Sequence, residues 1–466
     1  MKPRPTPIAY CKKVLIDLNR PNDALEISER GRARAFVELV ATRLSTSTAI
    51  RFQTAPLTVK DIQDVAHQQG ATLVQYSVLD DTLIAIWVIQ PDGTIDFRLS
   101  KLANPELSIE AAAEASRVAA ALGRSPRPGQ RGIEQQVRDT RNIVVEAIPE
   151  SAAPLTLRNN TSTPTVVLNA ELQALYGLLI QPIEDLLPTD PTQDVVIIPH
   201  ESLFLVPFAA LQDEAGTYLI EHHTLRSAPA IEVLSFEQTL PDSSASSQTI
   251  GATNEEPDEG AYLVVGNPVM PSLGTPPVPL SNLPNAEQEA QAIATLLKTT
   301  PAIGAIATEP YVTNQLPTAK IIHLATHGLL DDLAEQDIPG AIALAPTPNA
   351  DGLLTSGEIL NLSLQADLVV LSACNTGRGT ITGDGVVGLS RSFLSAGAES
   401  VVVSLWAVPD APTAVLMTEF YQALQQGYPR AQALRQAMLA TLQSYPNSRD
   451  WAAFVLLDTT ADPGGE

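Results

Sequence analysis

The chain has 466 residues, and 52 acidic side chains against 28 Lys and Arg give a formal net charge of −24. This length is enough for roughly two to four domains, and 44% apolar with 17% charged residues is a globular composition that argues against disorder. The acidic balance argues against phosphate-backbone binding, which needs clustered Lys and Arg. No apolar run reaches the ~18 residues of a membrane span, and the first residues lack an apolar signal core. We therefore expect a cytoplasmic protein with no nucleic-acid and no membrane partner.

The chain has only two cysteines, Cys11 and Cys374. They cannot build a disulfide framework, which indicates a reduced compartment. Six histidines and the absence of a Cys-x-x-Cys pair also argue against a structural zinc site. We expect neither a metal nor an organic cofactor.

Residues 1–55 are predicted to form a helical stub. The stretch 8–44 reads as two helices separated by a break at 19–21, and in the second helix Ala24, Ile27 and Leu39 lie close to one stripe. A helix pair cannot bury such a stripe alone, so the stub resembles the last unit of a tetratricopeptide array.

Residues 56–240 are predicted to form the first half of a larger α/β unit. A short helix at 58–69 precedes three strand-like runs whose connections, around Asp80-Asp81 and at 91–93, have hairpin chemistry. The polar stretch 241–260 is rich in Ser, Gly and Glu and reads as a linker. Further elements are predicted in the first half: helices at about 107–122, 131–149, 169–187 and 229–239, and a buried strand at 194–199.

Residues 261–466 alternate between strand and helix patterns. The strands are almost continuously apolar, which is typical of a parallel sheet buried on both faces. In such sheets, functional groups lie beyond the carboxyl ends of the strands, and His327 and Cys374 both lie at such ends. The predicted strands are 262–268, 319–328, 366–374 and 399–408, and the predicted helices are 285–298 (capped by Asn285), 384–397, 411–426 and 429–444.

Cys374 is the main candidate for chemistry, although a lone cysteine is most often a small buried hydrophobic residue. It ends a central strand, a polar loop with glycines follows it, and His327 lies 374 − 327 = 47 residues upstream, close to the spacing of about 50 in caspases. A thiol of pKa ~8.5 is intrinsically nucleophilic, and a histidine can increase its thiolate fraction or protonate a leaving amine. The backbone N–H groups of Gly328 and Cys374 are candidates for an oxyanion hole.

Several segments together resemble the CHAT domain, a caspase-like and separase-like cysteine peptidase family usually preceded by tetratricopeptide repeats. The resemblance is strongest over residues 260–460, while 190–235 resembles the family's first half and 8–44 its connecting helix. The segments are I-I-H-L-A-T-H-G-L (321–329), D-G-L-L-T-S-G-E-I (351–359), A-D-L-V-V-L-S-A-C-N-T-G-R-G (366–379), G-L-S-R-S-F-L-S-A-G-A (388–398), V-V-S-L-W-A-V-P-D (402–410) and W-A-A-F-V-L-L (451–457).

The resemblance implies a caspase-like three-layer α/β/α sandwich, with a pseudo-protease-like half at 56–240 and a catalytic half at 261–466. It implies that Cys374 is the nucleophile and His327 the general acid/base, and that an acyl-thioester forms and is hydrolysed by water. The implied substrate is a protein or peptide.

The resemblance also implies an acidic pocket for a basic residue on the amino side of the cleaved bond. Asp410 matches that position and Asp384 is the second candidate, and a carboxylate at either place suits an arginine. Helix capping is the alternative for both residues. Trp406 either walls the pocket or fills the core.

Two further motifs are interpreted as structural. His323 lies four residues before His327 on a predicted strand, roughly 13 Å away, and no Glu follows it as a zincin motif requires, so we expect a core residue. The G-x-G-x-x-G pattern at 383–388 does not directly follow a strand and lacks the later acidic residue of a dinucleotide site.

The alternative function is a latent or non-catalytic signalling module of the same fold. In that case a regulatory protein partner binds through the helical stub and gates or replaces cleavage.

Overall fold

An 11-stranded sheet runs through the computed structural model and includes strands from both predicted halves. The structure describes residues 7–44, 56–102, 132–146, 164–239, 262–274, 276–329, 340–372, 383–406 and 408–459.

The part up to residue 239 contributes five strands to this sheet. Its helices are α1 (Pro7–Asp17), α2 (Pro21–Leu44), α3 (Val59–Gln69), α4 (Ile133–Glu146), α5 (Pro164–Leu179) and α6 (Leu219–His222); its strands are β1 (Thr72–Asp80), β2 (Leu83–Ile89), β3 (Ile95–Lys101), β4 (Asp194–Ile198) and β5 (Thr224–Ser227).

The part from residue 262 contributes the other six strands. Its helices are α7 (Pro284–Leu296), α8 (Glu309–Gln315), α9 (Ser356–Leu360), α10 (Gly383–Ser395), α11 (Asp410–Gln425) and α12 (Arg430–Ser444). Its strands are β6 (Tyr262–Pro268), β7 (Ser272–Leu273), β8 (Val278–Pro279), β9 (Ala302–Gly304), β10 (Ile321–Ala325), β11 (Gly328–Leu329), β12 (Ala341–Ala343), β13 (Leu353–Thr355), β14 (Leu368–Leu371), β15 (Ser400–Ser404) and β16 (Phe454–Asp458).

The large sheet consists of two parallel blocks that run in opposite directions. Its strand order is β3-β2-β1-β4-β5-β16-β15-β14-β10-β6-β9. β1, β4, β5 and β16 are mutually parallel, as are β15, β14, β10, β6 and β9, and β15 and β16 pair antiparallel where the blocks meet. β5 and β16 share a single ladder pair, Ser227 with Leu457.

Helices cover both faces of this sheet. In β1, Leu73 packs in the cluster of α2 and α3, whereas the next residue, Val74, packs in the cluster of α4 and α5. Successive side chains of a strand point to opposite faces, so one helical layer lies on each side. The mixed α/β fold class, with a large and mostly parallel sheet, is therefore confirmed.

The predicted N-terminal helix pair forms and is fastened to the sheet. Ala24 and Leu25 of α2 are buried in the cluster that contains Trp87, and the Trp87 indole N–H donates to the Pro21 carbonyl at 3.0 Å. Arg32 of α2 donates to the Pro199 carbonyl, beyond the carboxyl end of β4, at 2.7 Å. The division of the chain at 55, 240 and 260 stays a prediction.

Two local predictions differ from the structure. The helix predicted at 229–239 is a 3-10 helix over Glu232–Thr239. Asn285 is not the N-cap of its helix, because α7 begins at Pro284 with Leu283 at the N-cap position; a proline favours the first helical position. The helix predicted at 107–122 lies outside the described residues.

Helix α7 lies unusually close to strand β6 at Gly266. A Cβ at this position would come within 2.4 Å of the Ala290 Cβ and 2.7 Å of the Ala286 carbonyl oxygen. Only a glycine permits this approach, and the approach fixes where α7 begins.

We predict that Gly266→Ala lowers the free energy of unfolding by about 1–3 kcal/mol, because the new methyl group overpacks the contact with α7. Gly177→Ala in α5 is the matched control, since its Cβ would come no nearer than 3.6 Å to the Gln181 Oε1 atom and alanine favours a helix. Urea unfolding of both variants measures the effect. Equal stability of Gly266→Ala and wild type would contradict the close approach.

Candidate active site

His327 lies just beyond the carboxyl end of β10 and is buried. Its Nε2 atom is 2.7 Å from the Ser281 carbonyl oxygen and 3.4 Å from the Ser281 Oγ. A carbonyl oxygen only accepts hydrogen bonds, so Nε2–H donates to Ser281. In the neutral ring this leaves Nδ1 as the proton acceptor.

The segment that carries the Ser281 carbonyl is held by Asn267 of β6. The Asn267 Oδ1 accepts from the Leu283 N–H at 2.8 Å, and its Nδ2 donates to Glu287 Oε2 at 3.1 Å. Asn267 has a left-handed φ of 43°, which asparagine tolerates better than most residues. Sequence reasoning missed Ser281 and Asn267, although Asn267 lies near the carboxyl end of a predicted strand, where such groups are expected.

Gly328 follows in the short strand β11, which pairs antiparallel with β12. The His327 carbonyl accepts from the Ala343 N–H at 2.9 Å. Hydrogen-bonded and non-hydrogen-bonded pairs alternate in an antiparallel ladder, so the facing pair Gly328 and Ile342 is non-hydrogen-bonded. The Gly328 N–H therefore points away from β12.

Cys374 lies outside the described residues, together with the rest of 373–382. The strand that leads to it, β14, is the parallel neighbour of β10, and Leu371 faces Leu324 in the ladder.

Asp384 and Asp410 both lie in the first turn of a helix. The helix predicted at 384–397 forms as α10, which begins one residue earlier, at Gly383. Helix α11 begins at Asp410, with Pro409 at its N-cap position. The capping alternative places Asp410 at the N-cap and so begins the helix one residue later. A negative charge in a first turn interacts favourably with the helix dipole. The side chains of both aspartates lie outside the described atoms.

Trp406 is completely buried, and its indole N–H donates to the Arg449 carbonyl at 2.9 Å. These contacts are those expected of a residue that fills the core. A role for Trp406 as a pocket wall stays a prediction.

His323 is a fully buried strand residue, as predicted, but it has polar partners that sequence reasoning missed. Its Nε2 is 3.1 Å from Glu289 Oε1 and its Nδ1 is 3.1 Å from the Tyr421 hydroxyl. Burial, with Glu289 nearby, raises the pKa of Tyr421 well above its usual value. The partners are 34 and 98 residues away in sequence, so no local pattern could have indicated them. The network ties α7, β10 and α11 together.

Across the described residues, no group of three or more His, Cys, Asp and Glu side chains is arranged to hold a metal ion. None of the described helices is long and apolar enough to cross a membrane.

The family model of the CHAT domain matches residues 169–458. This is 458 − 169 + 1 = 290 of the 466 residues, more than half of the chain. The chain belongs to the CHAT domain family.

Curated relatives include tetratricopeptide repeat protein 28 of Homo sapiens, at 26% identity, and of Mus musculus, at 27%. Each alignment covers 96% of this chain and 22% of the relative, so the chain spans about a fifth of these relatives' length.

Solved structures with a similar shape include two of the Saccharomyces cerevisiae separase–securin complex. The first has a TM-score of 0.48 and 11% sequence identity, and the match covers 93% of this chain and 34% of that chain. The second has a TM-score of 0.49 and 10% identity, and the match covers 93% of this chain and 33% of that chain. The Arg-specific cysteine proteinase gingipain R matches with a TM-score of 0.33 and 9% identity, over 71% of this chain and 74% of that chain.

We predict that Tyr421→Phe lowers the free energy of unfolding by about 1–2 kcal/mol, because it leaves His323 Nδ1 without a partner in the core. Tyr311→Phe is the control, since Tyr311 is 40% exposed. Urea unfolding compares the two variants. The same stability for both would show that the hydrogen bond from Tyr421 to His323 contributes nothing.

We predict that the neutral His327 ring carries its proton on Nε2, and that Asn267→Gly weakens this preference. Glycine retains the left-handed backbone at 267 but releases the Leu283 N–H and with it the segment of Ser281. Long-range ¹H–¹⁵N NMR reports the tautomer, and with six histidines in the chain a His327→Gln variant assigns the signal. A proton on Nδ1 in the wild type, or an identical spectrum in Asn267→Gly, would contradict this geometry.

Proposed function

We propose that this protein is a cysteine endopeptidase that hydrolyses peptide bonds in protein substrates after a basic residue, Arg or Lys. Cys374 is the nucleophile and His327 the general acid/base, and the reaction needs neither a metal nor an organic cofactor. Membership of the CHAT domain family supports the peptidase-like fold that the proposed reaction requires.

The observation that carries the proposal is the register of β10 and β14. Leu324 faces Leu371 in this parallel ladder, His327 follows Leu324 by three residues, and Cys374 follows Leu371 by three residues. Neighbouring strands are about 4.8 Å apart. Two chains that leave adjacent strands at the same level and with the same offset are well placed to bring a thiol and an imidazole together.

The hydrogen bond from Nε2 to the Ser281 carbonyl supports the proposed role of His327. It leaves Nδ1 free to accept the proton of the Cys374 thiol, and the Ser281 carbonyl stabilises the imidazolium that results. The thiolate then attacks the scissile carbonyl carbon. As the C–N bond breaks, the imidazolium returns its proton to the leaving amine and an acyl-thioester remains. Water, deprotonated by His327, hydrolyses the thioester and regenerates the thiol.

The orientation of Gly328 supports an oxyanion hole. Its N–H is not used in the ladder with β12, and together with the Cys374 N–H it would donate to the developing oxyanion. Removal of one preorganised donor of this kind typically lowers kcat by a factor of about 10²–10³.

In this proposal Asp410 binds the basic side chain of the substrate. Asp384 is the second candidate for this role, and Trp406 is the candidate wall of the pocket. Asp410 begins the helix that follows β15, at the sheet edge where β10 and β14 also end. A carboxylate there would bind a guanidinium through two parallel hydrogen bonds. The acidic net charge of the chain agrees with a basic substrate residue.

A partner-gated or non-catalytic module is the second candidate. The observation that favours it is the attachment of the N-terminal helix pair: Arg32 of α2 donates to the Ile198 and Pro199 carbonyls at the end of β4. A regulatory protein bound to this pair would therefore act directly on the sheet. The peptidase function requires a reduced thiol, which suits the cytoplasm.

We predict that Cys374→Ala and His327→Ala each abolish cleavage of Arg and Lys peptides, while Asp peptides are not cleaved by any form. Cys11→Ser is the matched control and should retain full activity, because Cys11 is exposed on α1. Release of a fluorophore from a peptide panel measures the rates. Unchanged cleavage in either of the first two variants would eliminate the proposed pair.

A thiol-directed activity probe separates the two candidate functions. Labelling of Cys374 in the isolated chain favours a competent enzyme. Labelling only after a partner is added favours the gated module, and absence of labelling under both conditions favours a binding role.

A further inference from the structure

The large sheet has a weak seam between β5 and β16, inside its first parallel block. β5 and β16 share one ladder pair, Ser227 with Leu457, whereas β15 and β16 are paired over five residues. A cavity lies along this seam and extends under α12. It contains about 710 Å³ of space, part of it open to solvent.

The walls of this cavity, here called the seam cavity, are mostly apolar and come from both sides of the seam. Leu203 and Leu225 contribute from the side of β5, Val403 and Leu456 from the side of β16, and Leu434 and Met438 from α12. None of His327, Gly328 and Trp406 lines it. An apolar space of this kind does not hold water well and accepts hydrocarbon.

Two arginines line the seam cavity, and one of them, Arg226, is paired with Asp194 at 3.0 Å. The other is Arg435 of α12, and its Nε and Nη2 donate to the Ile220 and Glu221 carbonyls at 2.9 and 2.7 Å. These bonds fix the guanidinium, yet in the part of the chain that the structure describes no carboxylate pairs with it and no acceptor lies at its Nη1. Burial lowers the pKa of Arg435.

His223 lies near the guanidinium of Arg435 and brings no negative charge to it. Burial, with His222 and Arg435 nearby, lowers the pKa of His223 to about 4. An oriented, partly desolvated guanidinium without a counter-ion is complementary to a carboxylate, and the apolar walls beside it are complementary to a hydrocarbon chain.

We propose that the seam cavity binds a small amphiphilic monocarboxylate, with its hydrocarbon chain between α12 and the sheet and its carboxylate on Arg435. The ligand contacts both sides of the seam between β5 and β16, so its binding stabilises a junction that a single ladder pair joins. This inference does not depend on the proposed peptidase activity.

The test compares octanoate, 1-octanol and octylamine, which share one hydrocarbon chain and differ in the head group. Octanoate should raise the Tm in a dose-dependent manner, 1-octanol should bind at least tenfold more weakly, and octylamine should not bind. Arg435→Gln should weaken octanoate at least tenfold and leave 1-octanol unchanged. Equal effects of octanoate and octylamine, or an unchanged octanoate affinity in Arg435→Gln, would overturn the proposal.

Two further measurements complete the test: ligand binding by a variant whose side chain fills the cavity, and an NMR signal from the cavity wall. Met438→Trp should abolish binding of both octanoate and 1-octanol, and retained binding would place the ligand elsewhere. The chain has four methionines, so the methyl signal of Met438 in the wild type is readily assigned by NMR. Octanoate should shift this signal and leave that of Met270 unchanged; an unmoved Met438 signal would refute the site even if Met438→Trp does not fold.

Discussion

The in-register parallel pairing of β10 with β6 on one side and β14 on the other is the constraint on which the candidate site depends. Ile322 faces Leu263 and Val369, so the three strands reach the same edge of the sheet together. Because the strands are parallel and their register is fixed, that edge carries Asn267, His327 and the end of β14, the strand that leads to Cys374. A shift of one residue in either ladder would turn each side chain to the other face.

Close packing and buried polar contacts hold the elements around this edge in position. Gly266 brings α7 against β6, and the bonds from His323 to Glu289 and Tyr421 join α7, β10 and α11. Apolar residues of equal volume could fill the same space, and a core packed in that way is often as stable as one that contains a buried polar network. Directional hydrogen bonds add a fixed geometry, and the three elements joined in this way carry or adjoin Ser281, His327 and Asp410.

The sequence patterns predicted eight of the eleven strands of this sheet, because a strand buried on both faces must be apolar throughout, as in I-I-H-L-A at 321–325. They predicted His327 and Gly328 at a strand end for the same reason. They did not predict β5, β9 and β16. They also did not predict Ser281 as the partner of His327, since a backbone carbonyl 46 residues away carries no side-chain signal. They predicted the helix that forms as α10, but not its packing against the 3-10 helix Glu201–Leu205 and β15. The bonds of Glu289 and Tyr421 to His323 likewise arise only from tertiary packing.

The central claim is that His327 activates the thiol of Cys374. The most direct measurement is the pH dependence of alkylation of Cys374 by iodoacetamide, in a Cys11→Ser background, with His327 present or replaced by Gln. We expect Cys374 to react at neutral pH at least tenfold faster with His327 than without it, because the imidazole accepts the thiol proton and increases the thiolate fraction. Identical alkylation rates and pH profiles for the two proteins would contradict it.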